Sequence, residues 1–462
     1  MNVSLEWLTA TELARLLRAR KISSVELTQL FLDRLEKFAP RYNALAELTR
    51  DLALKQARHA DRVIRKGGVT SRLYGIPYGA KDLLATKNIP TRWGSPAHRD
   101  QVFDYDATVI TKMREAGAVL AAKLAMVELA GGGGYEFASA SLHGPGLNPW
   151  NTGHWSGGSS SGSGSAVAAG LVPFALGSET WGSINSPASY CGVTGLRPTW
   201  GLVSRAGAME LAWTLDKIGP LARSAEDCGW ILHAIAGRDA NDPTTGRDFC
   251  FKSRPARRDF RIGVLPADFT DNREQAKSFD EALRVLKKIG MKISRVELPE
   301  HPYVNTATTI LHAETLAAHE ELIKSERLDL LVAESQKKNL RASLQMTPGD
   351  YARALRQRAE ITRDVLALFE QFDVLVSPAS MGEAIPIEMS LKQRPNRRGN
   401  YAVLGALCGL PALILPAGFG ARGLPLALAF TGNLFAENTL LALGMWFQRE
   451  TDWHQRHPRV VA

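Results

Sequence analysis

A run of ten residues made only of glycine and serine, Ser156 to Ser165, constrains this chain more than any other segment. Such runs are usually flexible linkers. Here an apolar stretch of mostly small residues, A-V-A-A-G-L-V-P-F-A-L (166–176), follows at once. The polar run must therefore lead directly into a helix or strand of the core, where its hydroxyl and N–H groups can be held in fixed positions. A rigid polar loop against a core is typical of a functional site.

Three arrangements of a nucleophilic hydroxyl are compatible with the sequence. Residues 158–162 match the G-x-S-x-G turn of α/β-hydrolases, with Ser160 as nucleophile. A run so rich in Gly and Ser matches this pattern by chance. The surroundings of the ten histidines also single out none of them as the triad base. Ser335 and Lys338 fit a Ser-x-x-Lys pattern, but their highly charged flank is typical of a solvated helix. The third arrangement uses two serines and a lysine.

Composition indicates an ordinary globular protein. Apolar residues make up 45% and charged residues 22% of the 462 residues, which excludes disordered, collagen-like and disulfide-scaffold classes. The four cysteines form no Cys-x-x-Cys pair and have no neighbouring histidine at metal-site spacing. We therefore expect neither a zinc site nor a disulfide framework, and a reducing compartment suits these thiols.

The charge distribution argues against nucleic acid, secretion and membrane insertion. The formal charge of +9 can attract polyanions, but the basic clusters at 254–261 and 392–398 lie in loop-like sequence without interleaved aromatics. The N-terminal segment mixes acids and arginines, unlike a secretory signal. Residues 401–420 carry no charge, yet they contain Pro411 and Pro416, so we expect a buried strand and turn. These patterns predict a cytoplasmic protein without a nucleic-acid or membrane partner.

Hydrophobic periodicity predicts alternating helices and strands. T-A-T-E (9–12) is a capping-box pattern at the start of one helix, and S-S-V-E (23–26) begins a second that extends to about Lys37. Helical periodicity returns over 51–65 and 107–116, ahead of a buried strand over 118–122. The alternation repeats over 260–298 and before 373–376, which predicts α/β architecture. The polar and basic residues 243–257 are the best place for a surface excursion.

Several motifs in this order resemble the amidase signature family. G-I-P-Y-G-A-K-D (75–82) and P-T-R-W-G-S (90–95) are similar to its lysine segment. Residues 157–196, with G-S-E-T-W-G-S-I-N-S-P-A inside them, resemble its Gly/Ser signature, and G-L-P-A-L-I-L-P-A-G (409–418) resembles a later segment. The resemblance covers nearly the whole chain. It implies one domain over residues 1–462, helical over about 1–65, with a mixed central β-sheet between α-helical layers.

The resemblance also implies roles for individual residues. By position, Lys81 matches the catalytic lysine, Ser159 the bridging serine that the family holds on a cis peptide, and Ser183 the nucleophile. Ser160 would be a supporting hydroxyl beside them. The backbone N–H groups that match the family's oxyanion hole belong to four residues, Thr180, Trp181, Gly182 and Ser183.

The chemistry of amide hydrolysis requires the same groups independently of the resemblance. It needs an activated hydroxyl, a base for its proton, an acid for the amine leaving group and donors for the tetrahedral oxyanion. Two hydroxyls and one neutral amine can supply these with backbone help. Lys81 stands before the apolar pair Leu83-Leu84, and burial there would lower its pKa toward neutrality. A surface ion pair between Lys81 and Asp82 is the alternative structural role.

Two departures from the family pattern bear on the substrate. Trp181 stands where many members have glycine, and Asn185 stands where many have arginine. Trp155, Trp181 and Asn185 are therefore our substrate-pocket residues, although core packing would explain the tryptophans equally well. Without the arginine the site lacks a bidentate carboxylate clamp, while indole faces favour flat apolar groups.

We expect hydrolysis of neutral aryl or hydrophobic amides, or of similar carbamates and esters, through an acyl-enzyme. No metal or organic cofactor is implied, and a homodimer is compatible with the sequence. The alternative is the glutaminase subunit of a tRNA-dependent amidotransferase, which would deliver ammonia to a partner subunit.

Overall fold

We describe the protein from a computed structural model. The structure describes residues 4–255, 259–269, 272–380, 382–393 and 401–460. Its strands in these ranges are β1 (Leu45–Leu48), β2 (Pro77–Lys81), β3 (Val119–Leu124), β4 (Leu147–Asn148), β5 (Asn151–Trp155), β6 (Phe174–Glu179), β7 (Thr194–Arg197), β8 (Lys217–Ala222), β9 (Arg261–Val264), β10 (Lys292–Arg295), β11 (Val374–Pro378), β12 (Ala412–Phe419) and β13 (Pro425–Gly432).

The helices of the described ranges surround these strands. They are α1 (Ala10–Arg18), α2 (Ser24–Tyr42), α3 (Arg50–Arg65), α4 (Thr108–Glu115), α5 (Ser161–Ala168), α6 (Asn185–Cys191), α7 (Ala225–Ile235), α8 (Arg273–Lys288), α9 (Tyr303–Ile323), α10 (Glu334–Ser343), α11 (Pro348–Ala367), α12 (Ala402–Leu407) and α13 (Glu437–Arg449).

Eleven of the strands form one mixed sheet in the order β1-β3-β2-β6-β8-β7-β12-β13-β11-β9-β10, and β4 pairs with β5 separately. Strand β2 is parallel to both of its neighbours, β3 and β6, so the carboxyl ends of these three strands meet at one edge of the sheet. Beyond β6 the pairing with β8 is antiparallel. The predicted α/β architecture with a mixed sheet is confirmed.

Both faces of the sheet are covered, because successive residues of a strand point to opposite sides. On β3, Leu120 belongs to one hydrophobic cluster, whereas Val119 and Ala121 belong to another on the opposite face. Strands buried on both faces read as continuous apolar runs rather than alternating ones. This explains why residues 118–122, which cover most of β3, are recognisable in the sequence as an unbroken apolar run.

The N-terminal helices begin as the sequence predicts. Thr9 with Glu12, and Ser23 with Glu26, form complete capping boxes at the starts of α1 and α2. Helix α2 continues past the expected end at Lys37 to Tyr42, because Ala39 and Tyr42 are buried against the body of the protein. It stops where Asn43 adopts a left-handed conformation, with φ of 49°.

Two other segments refine the expectations. Residues 401–420 contain helix α12 before strand β12, so the first part is helical rather than a turn, while the predicted buried strand is present. The expected excursion has no helix or strand over 243–255, and its last residues, 256–257, lie outside the described ranges. No helix in the described ranges has the length and apolar character needed to cross a membrane.

The Gly/Ser run is part of the core. Helix α5 is buried at every position from Ser161 to Ala168. A Cβ on Gly162 would lie 2.5 Å from the carbonyl oxygen of Ala44 and 2.7 Å from the nitrogen of Ala125. Glycine and serine are needed here because the helix packs directly against neighbouring backbone, so the run is not a linker.

Candidate active site

Lys81 lies at the end of β2, at the sheet edge where three parallel strands finish. Its side chain is fully buried, and its Nζ lies 2.7 Å from the hydroxyl of Ser159 and 2.9 Å from that of Ser178. Burial lowers the pKa of Lys81 to about 7, although the charges of Asp216 and Glu179 act to raise it. A large fraction of the amine is therefore neutral near pH 7 and can accept a proton.

Asp82, the neighbouring acid, is not the partner of Lys81. Its carboxylate faces the other side of the strand, where it lies 3.1 Å from Nζ of Lys123 and accepts a hydrogen bond of 2.9 Å from the backbone N–H of Arg92. Asp82 and Lys123 are both fully buried, and Lys123 also donates to the hydroxyl of Thr91 at 2.6 Å. The alternative of an exposed Lys81–Asp82 ion pair is therefore wrong.

Ser159 is positioned by the loop that precedes α5. The Gly158–Ser159 peptide bond is cis, as the resemblance implies. A Cβ on Gly158 would lie 2.6 Å from a ring carbon of Trp155 and 2.8 Å from Val127, so only glycine fits between them. The carbonyl of Ser159 accepts a hydrogen bond of 3.1 Å from Val127 N–H, which ties this loop to the segment after β3.

The side chain of Ser160 binds the backbone of β6 at Ser178. Its hydroxyl donates to the carbonyl of Ser178 at 3.2 Å and accepts from the N–H of Ser178 at 3.3 Å, and the side chain is fully buried. Because both contacts are structural, Ser160 is not available as an exposed nucleophile of the G-x-S-x-G type. Ser335 and Lys338, the other alternative, lie on α10, where the Lys338 side chain is exposed.

Ser178 is the residue that sequence reasoning missed. It lies on β6, and its hydroxyl is the second partner of Lys81. The only signal for it was its position beside Glu179 within the Gly/Ser signature. Its contact with Lys81 spans 97 residues of chain and depends on the parallel pairing of β2 with β6, which no local pattern reveals.

Ser183 lies in the short loop between β6 and α6. Its side chain is 7% exposed, and in the described part of the chain its hydroxyl has no hydrogen-bond partner. The backbone N–H groups of Trp181, Gly182 and Ser183 likewise donate to no acceptor within the described ranges. The residue of this loop with a positive φ, 89°, is Gly182. Trp181, which stands where many members of the family have glycine, therefore needs no left-handed backbone. Three free donors beside a free hydroxyl are suited to bind an oxyanion.

A buried ion pair holds the chain after Ser183. One carboxylate oxygen of Glu179 accepts 2.8 Å hydrogen bonds from the N–H groups of Ile184 and Asn185, and the other accepts from Arg197 at 2.6 Å. Burial alone would raise the pKa of Glu179, but the charge and hydrogen bond of Arg197 hold it below its ordinary value. The carboxylate thus stays ionised and anchors the loop that contains Ser183 on its C-terminal side.

Two consecutive residues on the β8 side hold the other end of this loop. The hydroxyl of Thr180 donates to Asp216 at 2.5 Å, and its carbonyl accepts from Nζ of Lys217 at 3.4 Å. Burial, which is the largest effect, and the charge of Arg197 lower the pKa of Lys217 to about 7. Since a peptide carbonyl and the following N–H point in opposite directions, fixing the Thr180 carbonyl also fixes the direction of the Trp181 N–H.

A small cavity of about 60 Å³ opens beside Ser178 and Thr180. None of the predicted pocket residues lines it. Trp155 is 1% exposed and packs in the core near Tyr135 and Tyr190, and Trp181 packs partly buried against a separate hydrophobic cluster. Asn185 lies in the first turn of α6, 5% exposed. The residues that do line the cavity are Leu83, Ala130, Ser178, Thr180, Arg205, Ala208, Met209, Glu210, Leu211, Trp213, Asp216, Lys217 and Ile218.

No group of three or more His, Cys, Asp or Glu side chains in the described ranges is arranged to hold a metal ion. The described cysteines are all free thiols. The groups that this site offers for proton transfer and hydrogen bonding include the amine of Lys81, the serine hydroxyls and the backbone donors.

The chain is similar to proteins of one known family over most of its length. The family model described as Amidase matches residues 26–441. The chain is also similar to glutamyl-tRNA(Gln) amidotransferase A subunits. It is 35% identical over 489 aligned residues to the one from Coxiella burnetii (strain Dugway 5J108-111), covering 98% of this chain and 99% of that protein. It is 36% identical over 487 residues to the one from Acinetobacter baumannii (strain AYE), covering 98% of each.

A solved structure is similar over the same extent. The native peptide amidase from Stenotrophomonas maltophilia superposes with a TM-score of 0.87 and 31% identity, covering 98% of each chain. Relatives that match along their full length, together with a family model that matches most of this chain, establish the family. The chain belongs to the amidase signature family and is an amide-hydrolysing enzyme.

Proposed function

We propose that the protein hydrolyses carboxamides of neutral aryl or hydrophobic compounds, together with chemically similar carbamates and esters, through an acyl-enzyme on Ser183. The observation that carries this proposal is the buried Lys81, whose Nζ lies 2.7 Å from Ser159 and whose pKa burial lowers to about 7. A neutral amine next to a serine hydroxyl can act as a base at physiological pH.

The reaction would begin with proton transfer. The Ser183 hydroxyl gives its proton to Ser159, which passes its own proton to the neutral Nζ of Lys81, and the Ser183 oxygen attacks the amide carbon. The free N–H groups of Trp181, Gly182 and Ser183 would stabilise the negative oxygen of the tetrahedral intermediate.

The second half would release both products. The proton on Lys81 returns through Ser159 to the nitrogen of the leaving amine, the C–N bond breaks and the acyl group stays on Ser183. A water molecule then attacks the ester, giving its proton to the same Ser159–Lys81 pair, and the acid leaves as Ser183 regains its hydrogen. Atoms and protons balance with water as the only co-reactant.

The cavity supports the preference for hydrophobic substrates. Its apolar lining includes Leu83, Met209, Leu211 and the indole of Trp213. The arginine common in the family is replaced by Asn185, which removes one means of clamping a substrate carboxylate. An aryl or aliphatic group would therefore gain more from this cavity than an anion would.

The alternative is a glutaminase subunit of an amidotransferase. It is favoured by the 35–36% identity to amidotransferase A subunits over their full length. Such a protein would act with partner subunits and use glutamine. The similarity to a peptide amidase, at 31% identity, supports independent amide hydrolysis to a comparable degree.

A hydrolysis panel on the purified lone chain separates the two functions. We expect the value of kcat/KM for a neutral anilide to exceed that for glutamine, because selectivity resides in this ratio. If glutamine were the only compound of the panel to be hydrolysed, and only after a partner subunit was added, the alternative would replace our proposal. An anionic or zwitterionic amide that exceeds the anilide about tenfold would also contradict it.

A further inference from the structure

The charged side chains around the cavity beside Ser178 differ in how many partners they have within the protein. Both cations of the lining, Arg205 and Lys217, already bind groups of the protein. Arg205 lies 3.2 Å from a carboxylate oxygen of Asp242, donates to the carbonyl of Trp213, and holds its guanidinium 4.3 Å from the Trp213 ring centroid. Lys217 donates to two backbone carbonyls, and its side chain is 2% exposed. Neither cation is available to a substrate anion.

The carboxylate of Asp216 in the cavity lining also has partners within the protein. Asp216 accepts hydrogen bonds from the Thr180 hydroxyl at 2.5 Å and from the backbone N–H groups of Leu211 and Ala212 at 2.8 and 2.9 Å. Glu314, the other carboxylate that acts on this region, accepts from Thr214 and Tyr351.

Glu210 differs from all of these groups. Its carboxylate has no hydrogen bond and no ion pair in the described ranges, although it lines the same cavity as Ser178 and Thr180. Burial, and next to it the charge of Asp216, raise the pKa of Glu210, whereas Arg205 acts to lower it. The Glu210 side chain is exposed at the rim of the cavity, close enough to Asp216 for the two negative charges to repel, and a bound cation would offset that repulsion.

An aromatic surface lies in the same lining. Trp213 is 43% exposed, and Arg205 contacts one face of its ring. Exposed indole next to an unpaired carboxylate is suited to a group that is both organic and positively charged, since the ring attracts cations and apolar carbon alike.

We propose that this cavity selects amides that carry an organic cation, such as a primary ammonium on an aryl or alkyl arm, with Glu210 as its counter-ion and Trp213 as its aromatic wall. The inference rests on the proposed hydrolysis at Ser183 and extends its substrate class from neutral amides to amides that carry an organic cation. Hydrophobic amides remain substrates, cationic ones are preferred among them, and anionic ones are disfavoured.

Three benzamides of matched shape test the selectivity, with aminomethyl, ethyl and carboxymethyl groups in the para position. In low salt, we expect kcat/KM for the aminomethyl compound to exceed that for the ethyl compound about tenfold, as one charge-assisted contact allows. The preference should shrink in about 0.5 M salt, because a partly exposed charge pair is screened.

Two variants test whether Glu210 causes the preference for the aminomethyl compound. In Glu210→Gln the ratio of kcat/KM between the aminomethyl and ethyl compounds should fall to about one. The matched control is Glu281→Gln, which makes the same change of charge on the exposed face of α8 and should keep the tenfold ratio. A ratio of one in the unmodified chain, or an undiminished ratio in Glu210→Gln, would overturn the proposal.

Binding separates this inference from the reaction itself. Calorimetry with Ser183→Ala measures Kd for the same three amides without turnover. About tenfold tighter binding of the aminomethyl compound supports the cation site even if the unmodified chain hydrolyses none of the three, a result that would reject only the proposed reaction. Equal Kd values for the aminomethyl and ethyl compounds would reject the cation site.

Discussion

At the scale of single residues, Ser183 has the clearest expected effect. Within the described ranges, its hydroxyl is the free one beside the three free N–H donors of its loop. Ser183→Ala should lower kcat by at least about 10³-fold with the fold unchanged, because the variant lacks the oxygen that forms the acyl bond. Steady-state kinetics and circular dichroism measure the two effects.

Ser186 provides a matched control three residues further along. Its hydroxyl is buried without a hydrogen bond in the described part of the chain, so Ser186→Ala removes the same atom from the same region without removing a contact. We expect near-normal turnover for this variant. Mass spectrometry after a slow carbamate should find the adduct on Ser183; an adduct on Ser159 or Ser160 would contradict the assignment.

Lys81 should set the pH dependence of the reaction. Only its neutral form can accept the proton, and burial lowers its pKa to about 7. Activity should therefore rise with pH along a single limb with a midpoint near 7, far below that of a free lysine. Lys81→Ala should lower kcat by several orders of magnitude.

The pH profile is best measured with a slow amide, so that chemistry limits turnover. Under that condition, a rate that is flat between about pH 6 and 9 would rule out the neutral-lysine mechanism.

At the scale of one element, the small residues of α5 are required by packing. Gly162 faces backbone atoms of Ala44 and Ala125 at distances no real Cβ tolerates, 2.5 and 2.7 Å. Gly162→Ala should lower the free energy of unfolding by about 2 to 4 kcal/mol, because neither backbone segment can move without disturbing the sheet.

Gly246→Ala is the matched control for this element. A Cβ there meets nothing within 4 Å in the described ranges, and the residue needs no positive φ. The variant should stay within about 0.5 kcal/mol of the unmodified chain in denaturant unfolding. Equal losses for the two variants would show that the Gly/Ser run is not selected by packing.

At the scale of the whole molecule, the buried lysines link stability to pH. Lys81 and Lys217 both have pKa values lowered to about 7 from an ordinary 10.5. Between these values the unfolded chain binds more protons than the folded one, so the free energy of unfolding contributed by these groups rises with pH. The catalytic arrangement thus costs stability at neutral pH.

Lys81→Met should relieve part of this cost. We expect the free energy of unfolding to increase by about 1 to 4 kcal/mol at pH 7 and by less at pH 9.5, where the unfolded lysine begins to lose its own proton. Thermal unfolding at the two pH values measures the change. Lys55→Met, on the exposed side of α3, is the control and should show no such trend; a gain independent of pH would contradict the explanation.

Much of the fold was predictable from the sequence because its signals are local. Each of these signals depends on residues a few positions apart: the capping boxes at Thr9 and Ser23, the apolar run over 118–122 in β3, and the Gly/Ser run before an apolar segment. The resemblance of the motifs to the amidase signature family similarly implied Lys81 and Ser159, and the structure places Nζ of Lys81 2.7 Å from the Ser159 hydroxyl.

The remaining features were decided by tertiary structure. The contact of Lys81 with Ser178, the pairing of Asp82 with Lys123, and the cavity lined by Trp213 instead of Trp155 all join segments that are distant in sequence. Strand register determines which side chains share a face, and burial determines which charges must be paired. Neither quantity is encoded in a short stretch of chain. The sequence by itself therefore indicated the candidate reacting groups, while the packing of the sheet determined their pKa values, their partners and the cavity beside them.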